Sequence, residues 1–442
     1  MLRAGRYTAA ILMVAVGAGL IVDLATGSSY LRDWLKYWPV VLIMVGAEYL
    51  IMNLFTLDGR RKVRLDIGAL LLSFLISGAV VLLVQGKSAL ADWDLDLDLD
   101  LTHEKFEHIM EHVGEGAYRL GTPHVKPVQH AEWGPQLKKI AISNPNGKVT
   151  LAAGEVDRIE IETTVYVARG VGKRAESIVE RAEVNVETRG DTLRIEAEGE
   201  RYSILFLHFK PNMDLRITVP ADLEANYELE LDNGSVEAAG LQALNTFKAE
   251  TKNGGIEIAG LAGNAELSTR NGPIRASGID GNLKARTSNG RIELSGISGN
   301  ADAETKNGTV IARGIDGSLK GETSNGEIEL AQVKGPVDVV TKNGNIVMED
   351  VSGRMSARTN NGNVEAVSGV VGGDWQVKTA RGRITLRLPE NGDFRIDART
   401  DGEVHTDLDL KVRNRRATGT VGNGTHSIEL ESEGKLEIYA WN

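Results

Sequence analysis

Asn-Gly recurs at Asn253, Asn271, Asn289, Asn307, Asn325, Asn343 and Asn361, each 18 residues after the last, with an earlier copy at Asn233. A fixed period of that length means one small unit stacked many times, so the chain is a repeat array. Thr stands two places before each Asn of the series, from Thr251 to Thr359. An aliphatic residue follows at a constant offset: Ile256, Ile274, Ile292, Val310, Ile328, Ile346 and Val364. Fifty Gly against seven Phe fits short strands separated by tight turns better than helices.

Residues Leu283 to Asn300 show what one unit does. Leu283, Ala285 and Thr287 face one way, Asn289-Gly290 turns, Ile292 and Leu294 face the same interior, and Gly296, Ile297 and Gly299 turn again. Asn-Gly is the strongest two-residue hairpin signal, so an antiparallel meander is one reading. Such a sheet would have about fifteen strands and an uncovered apolar face. Coiling each unit into one rung hides that face instead. The expected fold is therefore all-β, a parallel β-helix or solenoid of about 18-residue rungs, with identical positions about 4.8 Å apart and with Asn amides and Thr hydroxyls forming ladders. Apolar positions do not recur every six residues as in a left-handed hexapeptide helix, which favours the right-handed sense of parallel crossovers.

After each rung's first aliphatic residue come Glu257, Arg275, Glu293, Ile311, Glu329, Val347 and Glu365, so Glu falls on alternate rungs. Skipping a rung doubles the distance between like charges. Residues 283–290 also echo residues 319–326, a 36-residue similarity. This is a solubility pattern, and a binding face is expected to break it somewhere.

Ahead of the array, residues from about 7 to 26, 38 to 56 and 66 to 85 are each apolar and long enough to cross a bilayer core of about 30 Å. Arg3 and Arg6 precede the first, and Arg60, Arg61, Lys62 and Arg64 crowd the loop after the second. Both clusters are expected in the cytoplasm, which puts everything after about Lys87 on the other side. Asp23 and Glu48 lie within or at the edge of spans, where such groups pair helices, carry function or stay solvated near headgroups.

The next stretch suggests metal chemistry. Asp92, Asp94, Asp96, Asp98 and Asp100 alternate with Trp93 and four Leu, placing five carboxylates on one face of a strand, but no turn residues wrap them as a calcium loop requires. His103, His108 and His112 follow among Glu104, Glu107 and Glu111, and His108 to His112 spells the inverted zinc-protease pattern. A third ligand and an enclosing fold are missing, so a half-buried acidic strand and a solvated amphipathic helix are the preferred readings. No catalytic, cofactor or metal residue is assigned. The charge of -11 with no basic stripe argues against a nucleic-acid partner, and zero Cys excludes disulfides and thiol chemistry.

These readings divide the chain into a transmembrane region of three helices (1–87), an acidic and His-rich juxtamembrane segment and linker (88–136), an irregular β domain with one short helix near 173–182 (137–220), the regular array (221–370), and irregular C-terminal rungs with a cap (371–442). Asn146-Gly147, Ile217-Thr218-Val219-Pro220, the Thr-x-Asn-Gly series and Ile384-Thr385-Leu386-Arg387-Leu388-Pro389 together resemble the bacterial putative-adhesin family of β-strand repeats, a domain of unknown function. Trp38 to Leu50 is similar to the membrane region of the cell-wall-antibiotic-response regulators of Gram-positive bacteria. The resemblance implies a surface or envelope-stress-sensing role and brings no catalytic residues. The expected protein is non-enzymatic: a membrane-anchored rod of ten or so rungs, about 45 to 50 Å long, extracytoplasmic, contacting a cell-wall or membrane component or a partner membrane protein. A polymerising bactofilin-like scaffold and a polysaccharide-cleaving β-helix enzyme are the alternatives. Oligomeric state is not legible.

Overall fold

A computed structural model describes residues 2–4, 8, 48, 63–65, 122–167, 174–204 and 207–441. The chain divides into two compact units, residues 1–103 and 104–442. In the first, Leu2–Ala4 pairs in parallel with Val63–Leu65, setting Arg3 beside Arg64. Thr8 donates to the Glu48 carboxylate from both its backbone N–H (2.9 Å) and its hydroxyl (2.6 Å), so this carboxylate is held by a second segment. Apart from Thr8 and Glu48, the three expected spans lie outside the described residues, as do Asp23, the row from Asp92 to Asp100 and His103, His108 and His112. Among the described residues no helix is long and apolar enough to cross a membrane.

The second unit is an all-β solenoid. Leu283–Thr287 enters the Asn289-Gly290 turn and Ile292–Ile297 leaves it, yet the two do not pair as a hairpin would. Leu283 lies between Ala265 and Ala301, and Ile292 between Ile274 and Val310, all in parallel register. Each rung therefore contributes one strand to each of two sheets. The second residue of the turn explains the choice: a Cβ on Gly290 would sit 1.8 Å from the Gly272 carbonyl oxygen, so successive turns stack in backbone contact that only glycine permits.

The Asn amides form the expected ladder. Asn289 Nδ2 donates to Asn271 Oδ1 at 2.7 Å, and the series runs unbroken from Asn361 back through Asn233 to Asn146. The Thr hydroxyls correct the sequence reading, because they do not bond one another. Thr287 Oγ1 donates to the Gly272 carbonyl at 3.1 Å and Thr305 Oγ1 to Gly290 at 3.0 Å. These threonines point inward and are almost fully buried, so the nearest acceptor is the turn carbonyl of the preceding rung.

A bend follows in the second sheet. Gly278, Gly296 and Gly314 hold φ near +62 to +65°, and at the same 18-residue spacing Gln332 (+58°) and Asp350 (+52°) adopt the same left-handed conformation. Inside, the core alternates by rung: Ala265, Leu283, Ala301 and Leu319 in one sheet, Ala276, Leu294, Ala312 and Leu330 in the other, all buried. Large residues of one rung spread over small ones of the next, which keeps density high without voids. The 36-residue similarity is thus a packing unit as well as a charge pattern.

The flanks prolong the rod beyond the expected ten rungs. Among the described residues thirteen strands run in parallel in the first sheet, the outermost being Thr192–Glu198 and Phe394–Thr400, which spans about 58 Å. Both ends use one device. Lys139–Asn146 sits between Asn226–Asn233 and Thr192–Glu198, while His426–Ser432 sits between Trp375–Arg381 and Phe394–Thr400. An early or late stretch of chain is slotted between the array and the outermost rung. Antiparallel strands then follow in both sheets at the N-terminal end, Glu183–Arg189 and Ile159–Val167; at the C-terminal end Arg416–Val421 and Lys411–Arg413 follow in the first sheet, while the second ends on the three-residue strand Val404–Thr406, parallel to Leu436–Trp441. Trp375, expected in the cap, lies inside the stack against Met355 and Ile428.

Part of the expected linker is structured. Thr122–Val125 and Gln129–Ala131 pair antiparallel with Ile159–Val167. Pro123 and Pro127 mask strands of three or four residues, and an edge strand tolerates a residue without an N–H. The short helix falls at Ala175–Glu180, inside the expected range.

Candidate functional site

Two features of the rod present chemistry outward. The first is a cleft of about 430 Å³ at the N-terminal end, lined among others by Asn144, Asn146, Arg181, Glu200, Lys210 and Met213. Asn144 follows the last outward residue of Lys139–Asn146 and turns in, 1% exposed. Its Nδ2 donates to the Met213 carbonyl at 2.7 Å, and its Oδ1 has no partner among the described residues. Arg181 donates to Glu200 at 2.8 Å, and that bond holds the guanidinium pKa above its ordinary value.

Asn146 is the first amide of the ladder, so the donor pole of nine aligned amides faces this cleft. A helix stacks a similar dipole every 1.5 Å or so, the ladder every 4.8 Å, making its pole about a third as strong. That is too little to gather an anion unaided. The cleft offers amides, one cation beside a carboxylate, Lys210 and an apolar floor, but no nucleophile paired with a base.

The second feature is the outward face of the first sheet. Its first column reads Glu228, Lys248, Glu266, Lys284, Asp302, Lys320 and Asp338, strictly alternating in sign. Lys139 pairs with Glu228, Lys248 approaches it at 3.3 Å, and their bonds, Lys139's first, hold its carboxyl below the ordinary value. Beyond it, Arg286 bridges Glu304 (2.9 Å) and Asp302 (3.5 Å). The third column, at the edge where the turns stack, reads Lys252, Arg270, Ser288, Lys306, Ser324, Lys342 and Asn360. Lys252 pairs with Asp232 at 2.7 Å. In the second sheet the expected row stacks as Glu257, Arg275, Glu293, Ile311, Glu329, Val347 and Glu365, with Arg275 bonded to Glu293 at 3.2 Å.

Sequence reasoning missed Asn144, whose only signal is its place before Pro145, and the third column. The signal for the column is the residue before each Asn, which repeats from rung to rung as the residue after each Ile does. Among the described residues no group of three or more His, Asp or Glu gathers as a metal site.

The profile of the Toastrack family DUF4097 matches residues 137–335 and again 318–436, well over half of the chain. The chain belongs to the Toastrack family. The match begins at residue 137, so it gives no support to the expected likeness of the N-terminal segment to the antibiotic-response regulators. Among solved structures, this Toastrack chain is similar to a "putative cell adhesion protein" of Clostridium sporogenes (12% identity, 72% of this chain and 100% of that one, TM-score 0.20). It is likewise similar to a "putative adhesin" of Bacteroides fragilis (13%, 72% and 97%, TM-score 0.23) and a "putative lipid binding protein" of Parabacteroides distasonis (13%, 73% and 98%, TM-score 0.21). Those descriptions belong to those proteins, and at such TM-scores they carry no argument here. No curated protein matches the chain.

Proposed function

We propose that this Toastrack chain is a non-enzymatic, membrane-anchored envelope protein whose rod, held outside the cytoplasm, binds wall polymer, a lipid-linked precursor or a membrane partner. The observation that carries the reading is the change from parallel to antiparallel pairing at the N-terminal end of both sheets and at the C-terminal end of the first, with only the three-residue strand Val404–Thr406 ending the second. A polymerising scaffold needs ends that continue the parallel register to recruit the next copy; terminal strands that depart from that register, or are as short as Val404–Thr406, leave the long faces as the larger surface on offer. Tight 18-residue rungs leave no long loops for assembling a reaction centre, and the carboxylates on the faces follow the repeat rather than converge. Anchoring is supported by the pairing of Leu2–Ala4 with Val63–Leu65, which sets Arg3 of one basic cluster beside Arg64 of the other, as a shared membrane side requires.

Protease added to intact cells tests the placement: the rod is digested from outside, with fragments ending before residue 122. Protection until lysis would overturn it. Retention of the full chain on envelope fractions tests the binding role.

A further inference from the structure

We propose that the edge formed by the stacked Thr-x-Asn-Gly turns is a docking ridge for a linear anionic polysaccharide carrying one negative charge per two sugar units. This deepens, and rests on, the reading that the rod meets a wall polymer.

Arg270, Lys306 and Lys342 occupy the same position of alternate rungs, 36 residues apart, and all three are exposed. Their backbones are locked to the stack: the Arg270 carbonyl accepts from Asn289 N–H (3.0 Å), and the Lys306 carbonyl from Asn325 N–H (2.9 Å). Two rungs place successive charges about 9.6 Å apart on a straight line.

Avoidance of stacked like charge is not enough to explain the pattern. The first column of the same sheet meets that demand by placing Glu266 between Lys248 and Lys284 and Asp302 between Lys284 and Lys320. The ridge places Ser288 and Ser324 there instead, so Arg270, Lys306 and Lys342 have no acid stacked beside them on a chain of charge -11, whereas Lys252 at the head of the column is paired with Asp232. Arg270, Lys306 and Lys342 have no ion pair among the described residues. The acids nearest in sequence and column are Glu250, Glu304 and Glu322 on the sheet side and Glu327 across the turn; Glu304 is taken by Arg286.

Charge spacing selects the partner. Two pyranose rings joined through equatorial bonds advance by close to two strand spacings, so a polymer with one carboxylate per disaccharide meets each cation in turn. Asn289, Asn307 and Asn325 are exposed and each uses one N–H and one lone pair within the ladder, so their amides can bond further, and Ser288 and Ser324 add hydroxyls, suiting sugar hydroxyls between the charges. Each contact is weak and exposed, so binding grows with the number of charges engaged: long chains are held, short fragments are not, and salt releases both.

The test uses the full chain with hyaluronan, which has one carboxylate per disaccharide, against neutral chitin oligomers and anionic phospholipid vesicles. Hyaluronan is expected to bind at low salt, and R270S/K306S/K342S to abolish it. The decisive variant pairs Lys306→Ser with Ser324→Lys, which keeps charge, composition and surface positions but breaks the two-rung spacing; it is expected to bind at least tenfold more weakly. Equal binding by the swapped variant, retention by the triple variant, or capture of vesicles but not hyaluronan would each overturn the ridge. Envelope retention that survives in the triple variant leaves the envelope role standing and removes only the ridge; loss of all retention in the wild-type chain removes both. Melting curves check that the variants fold.

Discussion

Asn289 donates to Asn271 at 2.7 Å and accepts from Asn307 at 2.8 Å, so one exposed side chain ties three rungs together. Asn289→Ala removes both bonds and is expected to cost about 1 to 3 kcal/mol, since each net hydrogen bond contributes roughly 0.5 to 1.5. Asn289→Asp keeps the acceptor, loses the donor and adds a charge facing the Asn271 oxygen, so it should cost more than Ala. Denaturant melts of the two variants check the order. A midpoint unchanged in Asn289→Ala would show that the ladder follows from the stack and does not help to hold it.

Crowding and backbone conformation can be separated with two glycines. Gly290 needs no left-handed backbone, but a Cβ there would lie 1.8 Å from the Gly272 carbonyl oxygen. Gly190 has φ of +64° and open space around it. Gly190→Ala should cost about 1 kcal/mol, the ordinary left-handed penalty, whereas Gly290→Ala has to push neighbouring turns apart and should exceed about 3 kcal/mol or prevent folding. Circular dichroism melts decide between them.

The array was legible because its period is enforced at several positions at once. Gly290 must be glycine, Thr287 must reach a turn carbonyl, and Ile292 must be buried, so the 18-residue repeat survives drift elsewhere in the chain. The destination of the Thr287 hydroxyl was not legible, since sequence gives facing but not which of two stacked acceptors lies nearer. The slotted ends were hidden for a different reason. Lys139–Asn146 has array-like alternation, but its partner Asn226–Asn233 is separated from it by a whole outward excursion of chain, and local periodicity carries no information about such long-range order. The third-column cations are present in the sequence at a 36-residue spacing, but their lack of acidic partners depends on which side chains stack beside them, which only the register fixes.

Two residues sit where the repeat calls for glycine. Gln332 and Asp350 hold φ of +58° and +52° at the position filled by Gly296 and Gly314 in earlier rungs. A left-handed backbone costs an L-residue roughly 1 to 2 kcal/mol, and Asp, which can bond locally, tolerates it better than Gln. Gln332→Gly is expected to stabilise by about 0.5 to 1 kcal/mol after the added freedom of the unfolded glycine is offset, and Asp350→Gly by less. Chemical denaturation checks both gains, and destabilisation by Gln332→Gly would mean that its side chain contributes more than its backbone loses.

The C-terminal hairpin is fastened by a charge pair that should respond to acid. Asp397 accepts from Arg416 Nε at 2.8 Å and from its terminal nitrogen at 2.5 Å, with Arg399 at 3.3 Å. The Arg416 bond, foremost, holds the Asp397 carboxyl below its ordinary value. A depressed folded pKa gives stability that is present above the unfolded value and lost as pH falls through the folded one. The wild-type advantage over Asp397→Asn is therefore expected at neutral pH, to shrink below the usual aspartate range and to vanish in stronger acid. Side chains this exposed limit it to about 1 kcal/mol. Melting temperatures of both proteins across the acid range test the convergence.

The slotted C-terminal rung makes the strongest prediction about order of assembly. Ile428 lies between Trp375 and Ile396, and Leu436 between Ile384 and Val404, so residues 426–441 form an inner layer of the rod although they follow both neighbouring rungs in sequence. Removing residues 426–442 would not trim an end. It would strip both faces of a buried rung, leaving Trp375 uncovered and Phe394–Thr400 with only its antiparallel partner Arg416–Val421. An ordinary terminal rung of a solenoid detaches with little effect on its neighbours, because each unit touches only the next. Here the truncated chain is expected to show a red-shifted tryptophan emission, protease cutting across residues 390–425 and a lowered melting temperature for the whole C-terminal end. Leu430→Ala, which opens a cavity in the same inner rung, should lower stability by about 2 to 4 kcal/mol without the protease cutting. A truncated chain that keeps residues 394–421 protected would mean that the outer rung closes onto Trp375 directly, and that the late strand displaces it only after folding is under way.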